Sequence, residues 1–133
     1  MKRFTFVLAG VLLIAAVPAL AHHSFTSFWQ MDKTLELTGV VKSVKLVNPH
    51  PLMTLEVTEP DGKLSLWNVT ATATGSSILK AGWTDSTLPV GTKIKIEGHP
   101  SRKEGAKAMA AGTITMPDGK KFSFGGSLGI PQG

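Results

Sequence analysis

The chain carries four histidines but no cysteine and no tyrosine, so imidazole nitrogens are the side-chain atoms best suited to hold a metal. Two of the histidines are adjacent, His22 and His23, whereas His50 and His99 each stand directly before a proline. Neutral imidazole is the commonest metal ligand, and a set of three or four nitrogens suits copper and is acceptable to zinc. The four histidines together predict a copper site. The alternative is that His50 and His99 are turn residues whose rings hydrogen-bond to nearby carbonyl groups.

The first 21 residues show the three zones of an export signal. Lys2 and Arg3 form a positive head, residues 4–17 are almost continuously apolar, and the segment ends in Ala19-Leu20-Ala21. Signal peptidase accepts this small-x-small ending, and the apolar run is shorter than the about 20 residues that a membrane span needs. The pattern predicts a cleavable signal peptide over residues 1–21, a periplasmic or secreted protein, and no membrane anchor after cleavage.

Cleavage after Ala21 makes His22 the amino terminus of the mature protein. A free α-amino group has a pKa of about 8, so the amine and the ring of His22 can close a chelate around a metal. The ring of His23 and the amide between the two histidines can instead complete a square-planar nitrogen set for Cu(II). The alternative is that a polar dipeptide simply suits the peptidase and a solvated terminus.

Composition limits the classes of function that remain. About 112 residues follow the signal, which is enough for one domain with one modest core. Without Lys2 and Arg3 the formal charge falls from +5 to +3, which is too weak and too evenly spread to predict nucleic-acid binding. The absence of cysteine excludes disulfides and thiolate chemistry. Eight prolines, 14 glycines and many β-branched residues favour short strands and turns.

Apolar and polar residues alternate in several segments, which predicts an all-β domain over residues 35–124. Before it, residues 22–34 form an N-terminal arm in which Phe25, Phe28 and Trp29 pack across the core. The first strand covers residues 35–47 and is bent or bulged at Gly39. Further strands are predicted at residues 52–58, 63–70, 92–98, 106–116 and 121–124, and residues 125–133 form a flexible tail.

One short helix is predicted between the third and fourth strands. Ser76 or Ser77 caps its start, Ile78, Leu79 and Trp83 face inward, and Gly82 stands where it ends. A long first strand and a single helix in this place are typical of the small oligonucleotide/oligosaccharide-binding (OB) barrel, with five or six strands; a small β-sandwich is the alternative. In the OB barrel, His50 lies in the loop between strands one and two, and His99 opens the loop between strands four and five. These two loops flank the ligand face.

Other side chains on the predicted barrel suggest a second kind of binding. Trp67 and Trp83 can stack on a sugar or pack in the core, and Asn48 precedes Pro49 in the His50 loop. These three residues are the candidate contacts to a glycan, a peptide or an envelope protein. No pair of acids and no serine–histidine spacing predicts a hydrolase, so no catalytic residue is assigned.

Several of these motifs resemble a family of small exported bacterial proteins, domain of unknown function 6152. The resemblance rests on Ala21-His22-His23-Ser24-Phe25, on Asn48-Pro49-His50 and on Gly98-His99-Pro100, and it extends over nearly all of the mature chain. It implies an exported location and a small β-barrel. The resemblance also implies an acidic residue shortly after the tryptophan of the third strand, whereas here residues 68–72 contain none.

The sequence therefore predicts an exported, non-enzymatic binding protein that holds copper through the processed terminus and the two loop histidines. The first alternative is a metal-free module that binds a glycan, a peptide or an envelope protein. The second is a copper oxygenase that uses the amino-terminal histidine as part of its metal site.

Overall fold

The computed structural model describes residues 25–125. The predicted signal peptide with its cleavage site, both His22 and His23, and all but the first residue of the predicted tail lie outside this range. Within it, no helix is long and apolar enough to cross a membrane.

Residues 25–28 are helical, and six strands and one further short helix follow them. In chain order they are β1 (Leu35–Lys45), β2 (Leu52–Thr58), β3 (Leu64–Ala71), α1 (Gly75–Lys80), β4 (Lys93–Pro100), β5 (Ala108–Thr115) and β6 (Lys121–Ser123). The strands lie in the order β3-β2-β1-β4-β5-β6, and β3 also pairs with β5 in parallel. That last pairing closes β1 to β5 into a five-stranded barrel, with β6 as one extra strand, so the predicted small OB-like barrel is confirmed.

The barrel is filled by the inward side chains of every strand. Val41, Leu55, Val69, Ile96 and Ile114 come from five different strands and are fully buried. Each buried side chain of this size contributes about 1.5–3 kcal/mol relative to its exposed state. The alternation read from the sequence therefore identifies the buried face of the sheet correctly.

Two hairpins of the barrel use the same turn, Pro-Asp-Gly-Lys. In the β2–β3 turn Asp61 Oδ1 accepts a hydrogen bond from the Lys63 N–H at 3.0 Å, and in the β5–β6 turn Asp118 Oδ1 accepts one from Lys120 at 3.0 Å. The glycine between them has a φ of 81° at position 62 and 85° at position 119, where a side chain would be strained. Both turns connect strands that the sequence predicts.

The irregularity in β1 lies two to three residues beyond the predicted position. Gly39 stays in phase with the inward residues around it, and the register with β2 shifts between Val41 and Ser43, so that Lys42 is the extra residue. Gly39 serves a different purpose, because a Cβ there would lie 2.5 Å from the Glu56 carbonyl oxygen. The glycine permits close approach of β1 and β2, and the bulge is a separate feature.

Helix α1 has an earlier N-cap than the sequence predicts, and one of its apolar side chains is more exposed than predicted. Its N-cap is Thr74, whose hydroxyl accepts a hydrogen bond from the Ser77 N–H at 3.2 Å, so capping by Ser76 or Ser77 is wrong. Leu79 is 50 % exposed, whereas Ile78 and Trp83 are buried as predicted. The helix ends at Lys80, and Gly82 terminates it as expected: the N–H of Gly82 donates to the Leu79 carbonyl and that of Trp83 donates to the Ile78 carbonyl, which is the Schellman pattern.

Candidate functional site

The N-terminal arm, residues 25–34, is fastened to the end of β4. Trp29 forms an antiparallel bridge with Ser101. The backbone N–H of Gln30 donates to the Pro100 carbonyl at 2.9 Å, and its side-chain Nε2 donates to the Ser101 carbonyl at 2.8 Å. The first part of the arm is therefore tied to the residues that directly follow His99.

Arg102 extends this attachment toward the start of the described chain. Its backbone N–H donates to the Phe28 carbonyl at 2.9 Å, and its Nε donates to the Thr26 carbonyl at 2.7 Å. Phe25 and Trp29 are half-buried, but Phe28 is 64 % exposed, so its predicted packing across the core is wrong. Hydrogen bonds to residues 100–102 hold the arm against the end of β4.

Beneath the arm lies a cavity of about 990 Å³. This is at the upper end of the range that suits a small-molecule or cofactor site. Its wall is made by four separate parts of the chain: the arm, the loop between β1 and β2, the segment after β3, and the middle of the β4–β5 pair. The residues with polar, aromatic or sulfur groups that line it include Phe25, Met31, His50, Thr72, Glu97 and His99.

A β-bulge shapes the β4–β5 side of this cavity. The register between the two strands shifts after Glu97, so that Gly112 is the extra residue. Gly98 faces inward and is buried, while Glu97 and His99 lie on the opposite face, toward the cavity. Bulges commonly re-aim side chains beside functional sites, and this one lines the cavity wall around His99.

His99 belongs to β4 and is paired with Ala110, so its predicted place at the opening of the β4–β5 loop is wrong by a few residues. Its Nδ1 lies 2.8 Å from the carbonyl oxygen of Lys33, in the arm. His50 does lie in the loop between β1 and β2, as predicted, and its Nδ1 lies 3.0 Å from the carbonyl oxygen of Ala73. Both rings are half-buried and line the same cavity.

These two contacts determine which ring nitrogen can bind a ligand. A carbonyl oxygen only accepts hydrogen bonds, so in each neutral ring Nδ1 must carry the proton. The lone pair then resides on Nε2, which is the nitrogen that a metal or a hydrogen-bond donor would engage. An Nδ1–H to carbonyl bond of this kind commonly orients metal-ligating histidines. The carbonyl contacts also match the alternative that the rings of both histidines hydrogen-bond to nearby carbonyl groups.

The described residues supply only part of a nitrogen-rich metal site. Between residues 25 and 125, no three histidine or acidic side chains are grouped closely enough to hold one ion. His50, His99 and Glu97 therefore do not form a complete cluster among themselves. A metal bound to both imidazoles needs further ligands, and residues 22 and 23 precede Phe25, whose ring centroid lies 6.2 Å from that of His50.

Asn48 links the His50 loop to helix α1. Its Oδ1 accepts hydrogen bonds from the Ser76 N–H at 3.1 Å and from the Ser76 hydroxyl at 3.3 Å. Gly75 lets the two segments meet, because a Cβ there would lie 2.4 Å from the Val47 carbonyl oxygen. The side-chain oxygen of Asn48 therefore positions the loop, and the contact of Asn48 with an external partner stays a prediction.

The two candidate tryptophans have different surroundings. Trp83 is 3 % exposed and packs against Phe122 and Phe124 in the core, so its ring has no free face for a ligand. Trp67 is half-buried, with the Lys107 ammonium 5.4 Å from its ring centroid. Its Nε1 donates to Glu59 at 3.2 Å. Neither tryptophan lines the cavity described above.

The chain matches a protein-family model over residues 10–110, described as a Family of unknown function (DUF6152). This range covers more than half of the chain and includes all four histidines. The chain belongs to the DUF6152 family. The resemblance seen in the Asn-Pro-His and Gly-His-Pro motifs is confirmed. The description of DUF6152 names no function, and no curated protein matches the chain.

Sequence reasoning missed several residues that line the cavity. Gly112 carries a signal that was available, because an isolated glycine inside a strand pattern indicates a bulge. Met31, Thr72 and Glu97 carry no comparable signal, since each is a common residue in an arm or a strand. Their proximity to His99 or His50 depends on how the arm and the barrel meet.

Proposed function

We propose that this protein is an exported, non-enzymatic copper-binding protein of the bacterial envelope, and that copper binds in the cavity under the arm. The observation that supports this most directly is that two imidazoles share the same cavity and the same kind of hydrogen bond. His50 and His99 line one cavity, and each is oriented by an Nδ1–H to carbonyl bond that leaves Nε2 with its lone pair.

The processed terminus supplies the remaining nitrogens in this proposal. Phe25 lines the cavity, and His22 precedes it by three residues. An extended chain spans at most about 3.5 Å per residue, so His22 Cα lies within about 10 Å of Phe25 Cα. The amine and ring of His22, or the ring of His23, can then join His50 and His99 in a set of three or four nitrogens that suits Cu(II).

The first experiment compares protein that begins at His22 with protein that retains Ala21 before it. Each form is titrated with Cu(II), and native mass spectrometry then measures the mass and stoichiometry of the complex. One-to-one binding by the first form, weakened at least about tenfold in the second, is expected because the extra residue removes the terminal amine from the ligand set. Equal affinity for Cu(II) in both forms would show that the amino terminus is not a ligand of the site. No binding by either form would end the copper proposal.

A second experiment tests the two imidazoles without disturbing the loops that carry them. In H50N and H99N the asparagine amide can still donate to the Ala73 or Lys33 carbonyl, but Nε2 is deleted. Each change should weaken Cu(II) binding at least about tenfold. T113V is the matched control, because Thr113 lines the same cavity without a nitrogen donor. Unchanged affinity in H50N and H99N would show that neither imidazole is a ligand.

A metal-free function is supported by a different surface. Leu64 and Leu66 lie on the outward face of β3 and are 65 % and 58 % exposed. Exposed apolar side chains in one row are typical of a contact to another protein, here a component of the envelope. Chemical cross-linking of this protein to an envelope component should then be lost in the L64T/L66T variant and kept in the H50N/H99N variant. The opposite pattern would favour the copper site.

A further inference from the structure

Met31 stands apart from the other methionines of the described chain. Met53 and Met109 are buried in the core, at 2 % and 0 % exposure, and Met116 is half-buried beside a different, smaller pocket. Met31 is 40 % exposed and lines the cavity that contains His50 and His99. Core packing therefore accounts for Met53 and Met109 but not for the thioether of Met31.

The backbone around Met31 is held in place from both sides. Met31 is the second residue of a turn in which the Lys33 N–H donates to the Gln30 carbonyl at 3.0 Å. Gln30 is bonded to Pro100 and Ser101, and the Lys33 carbonyl accepts the Nδ1–H of His99 at 2.8 Å. The turn that presents the thioether is thus the same turn that orients the imidazole.

The donor chemistry of these three side chains distinguishes between the two oxidation states of copper. A thioether is a soft, neutral ligand that selects Cu(I), and imidazole binds copper in either state. Cu(I) is satisfied by two or three soft donors, whereas Cu(II) prefers four nitrogens or oxygens in a plane. Two imidazoles and one thioether line this cavity, and this donor set fits the requirement of Cu(I) better.

We infer that the cavity under the arm is a Cu(I) site whose ligands are Nε2 of His50, Nε2 of His99 and Sδ of Met31. This inference rests on the proposed copper function and adds a ligand and an oxidation state to it. The ion binds as Cu(I) and stays Cu(I), so no electron donor is required. The terminal nitrogens of His22 add affinity for Cu(II), while Met31 adds affinity for Cu(I) alone.

The test measures the affinity of mature protein for each ion in three forms: unmodified, M31L and M116L. Cu(I) is supplied without oxygen in competition with a chromophoric Cu(I) chelator, and Cu(II) is titrated separately. Leucine is close to methionine in volume and is tolerated at most sites, so folding should be unaffected. M31L should weaken Cu(I) binding at least about tenfold and leave Cu(II) binding unchanged, and M116L should change neither.

X-ray absorption of the Cu(I) complex provides a second measurement, and its result would not change if Met31 had a purely structural role. A sulfur scatterer is expected in the unmodified protein and in M116L, and it should be absent in M31L. Unchanged Cu(I) affinity in M31L, or no sulfur in the unmodified complex, would overturn the assignment of Met31 while leaving the copper function in place. Failure of the unmodified protein to bind either ion would overturn both.

Discussion

At the scale of single residues, Glu59 is the carboxylate with the most unusual surroundings. Its Oε1 accepts hydrogen bonds from the Ser65 hydroxyl, from Trp67 Nε1 at 3.2 Å and from Lys107 Nζ at 2.8 Å. These donors, led by the Lys107 ammonium, lower the pKa of Glu59 from 4.5 to about 2. One oxygen therefore joins the β2–β3 hairpin to the start of β5, and these hydrogen bonds are stronger when the carboxyl group is ionised.

The lowered pKa of Glu59 predicts a dependence of stability on acid. Because the folded pKa lies below the unfolded one, the ionised group stabilises the fold fully above about pH 4.5, and this contribution is lost as the pH falls toward 2. E59Q should be less stable than the unmodified protein at pH 7, and the difference should shrink by pH 2.5. Thermal unfolding at both pH values measures it.

The control for this prediction is E104Q, because Glu104 is exposed and forms no ion pair within the described residues. Its melting temperature should follow that of the unmodified protein at both pH values. A difference between E59Q and the unmodified protein that is as large at pH 2.5 as at pH 7 would show that Glu59 acts through its shape and not through its charge.

At the scale of elements, the β4–β5 bulge combines a tight backbone contact with the cavity wall. A Cβ on Gly98 would lie 2.1 Å from the Ala110 carbonyl oxygen, so the two strands could not keep their present separation. The extra residue, Gly112, has open space around it, since the nearest atom to a Cβ there is the Glu97 carbonyl oxygen at 4.0 Å. A side chain can therefore be accommodated at Gly112 but not at Gly98.

Alanine substitutions at these glycines should have different effects on stability. G98A forces the backbone of β4 and β5 apart and should cost about 1–3 kcal/mol or more in the free energy of unfolding. G112A should change it by less than about 0.5 kcal/mol, and it is the matched control. Urea unfolding of both variants measures the difference. Equal stability of the two would mean that the strands can separate at Gly98 without loss.

At the scale of the whole molecule, the arm and the barrel are joined by few but well-placed contacts. Arg102 and Gln30 account for two of the side-chain hydrogen bonds that hold residues 25–34 against the end of β4. The same arm supplies the carbonyl that orients His99. The cavity between arm and barrel therefore depends on this attachment more than on the core of the barrel.

Hydrogen exchange can test this division of the molecule. In Q30A/R102A the backbone amides of residues 30 and 102 should exchange at least about fivefold faster, because about 1 kcal/mol of hydrogen bonding is removed from the arm. Amides of Leu55 and Val69 in the barrel should keep their protection. K103A is the control, since Lys103 is exposed. Faster exchange throughout the barrel would show that arm and barrel unfold as one unit.

The elements of the barrel were predictable from the sequence because they depend on local rules. Period-two alternation marks β2 at its observed bounds, and the two Pro-Asp-Gly-Lys segments mark hairpin turns. The cap at Thr74 was missed because Thr74, Ser76 and Ser77 are all suitable caps, and only the contact of Gly75 with Val47 selects among them. The exposure of Leu79 and Phe28 likewise depends on distant neighbours.

The sequence by itself determined the family, the all-β barrel with one helix, and His50 and His99 as candidate ligands, because motifs, alternation and residue type are properties of the chain. Tertiary structure alone decided that both imidazoles line one cavity, that Nδ1 of each faces a carbonyl oxygen, and that Met31 lines the same cavity. The hydrogen bond of His99 joins residues 66 positions apart. Contacts across such separations depend on how the arm packs on the barrel, which no local pattern encodes.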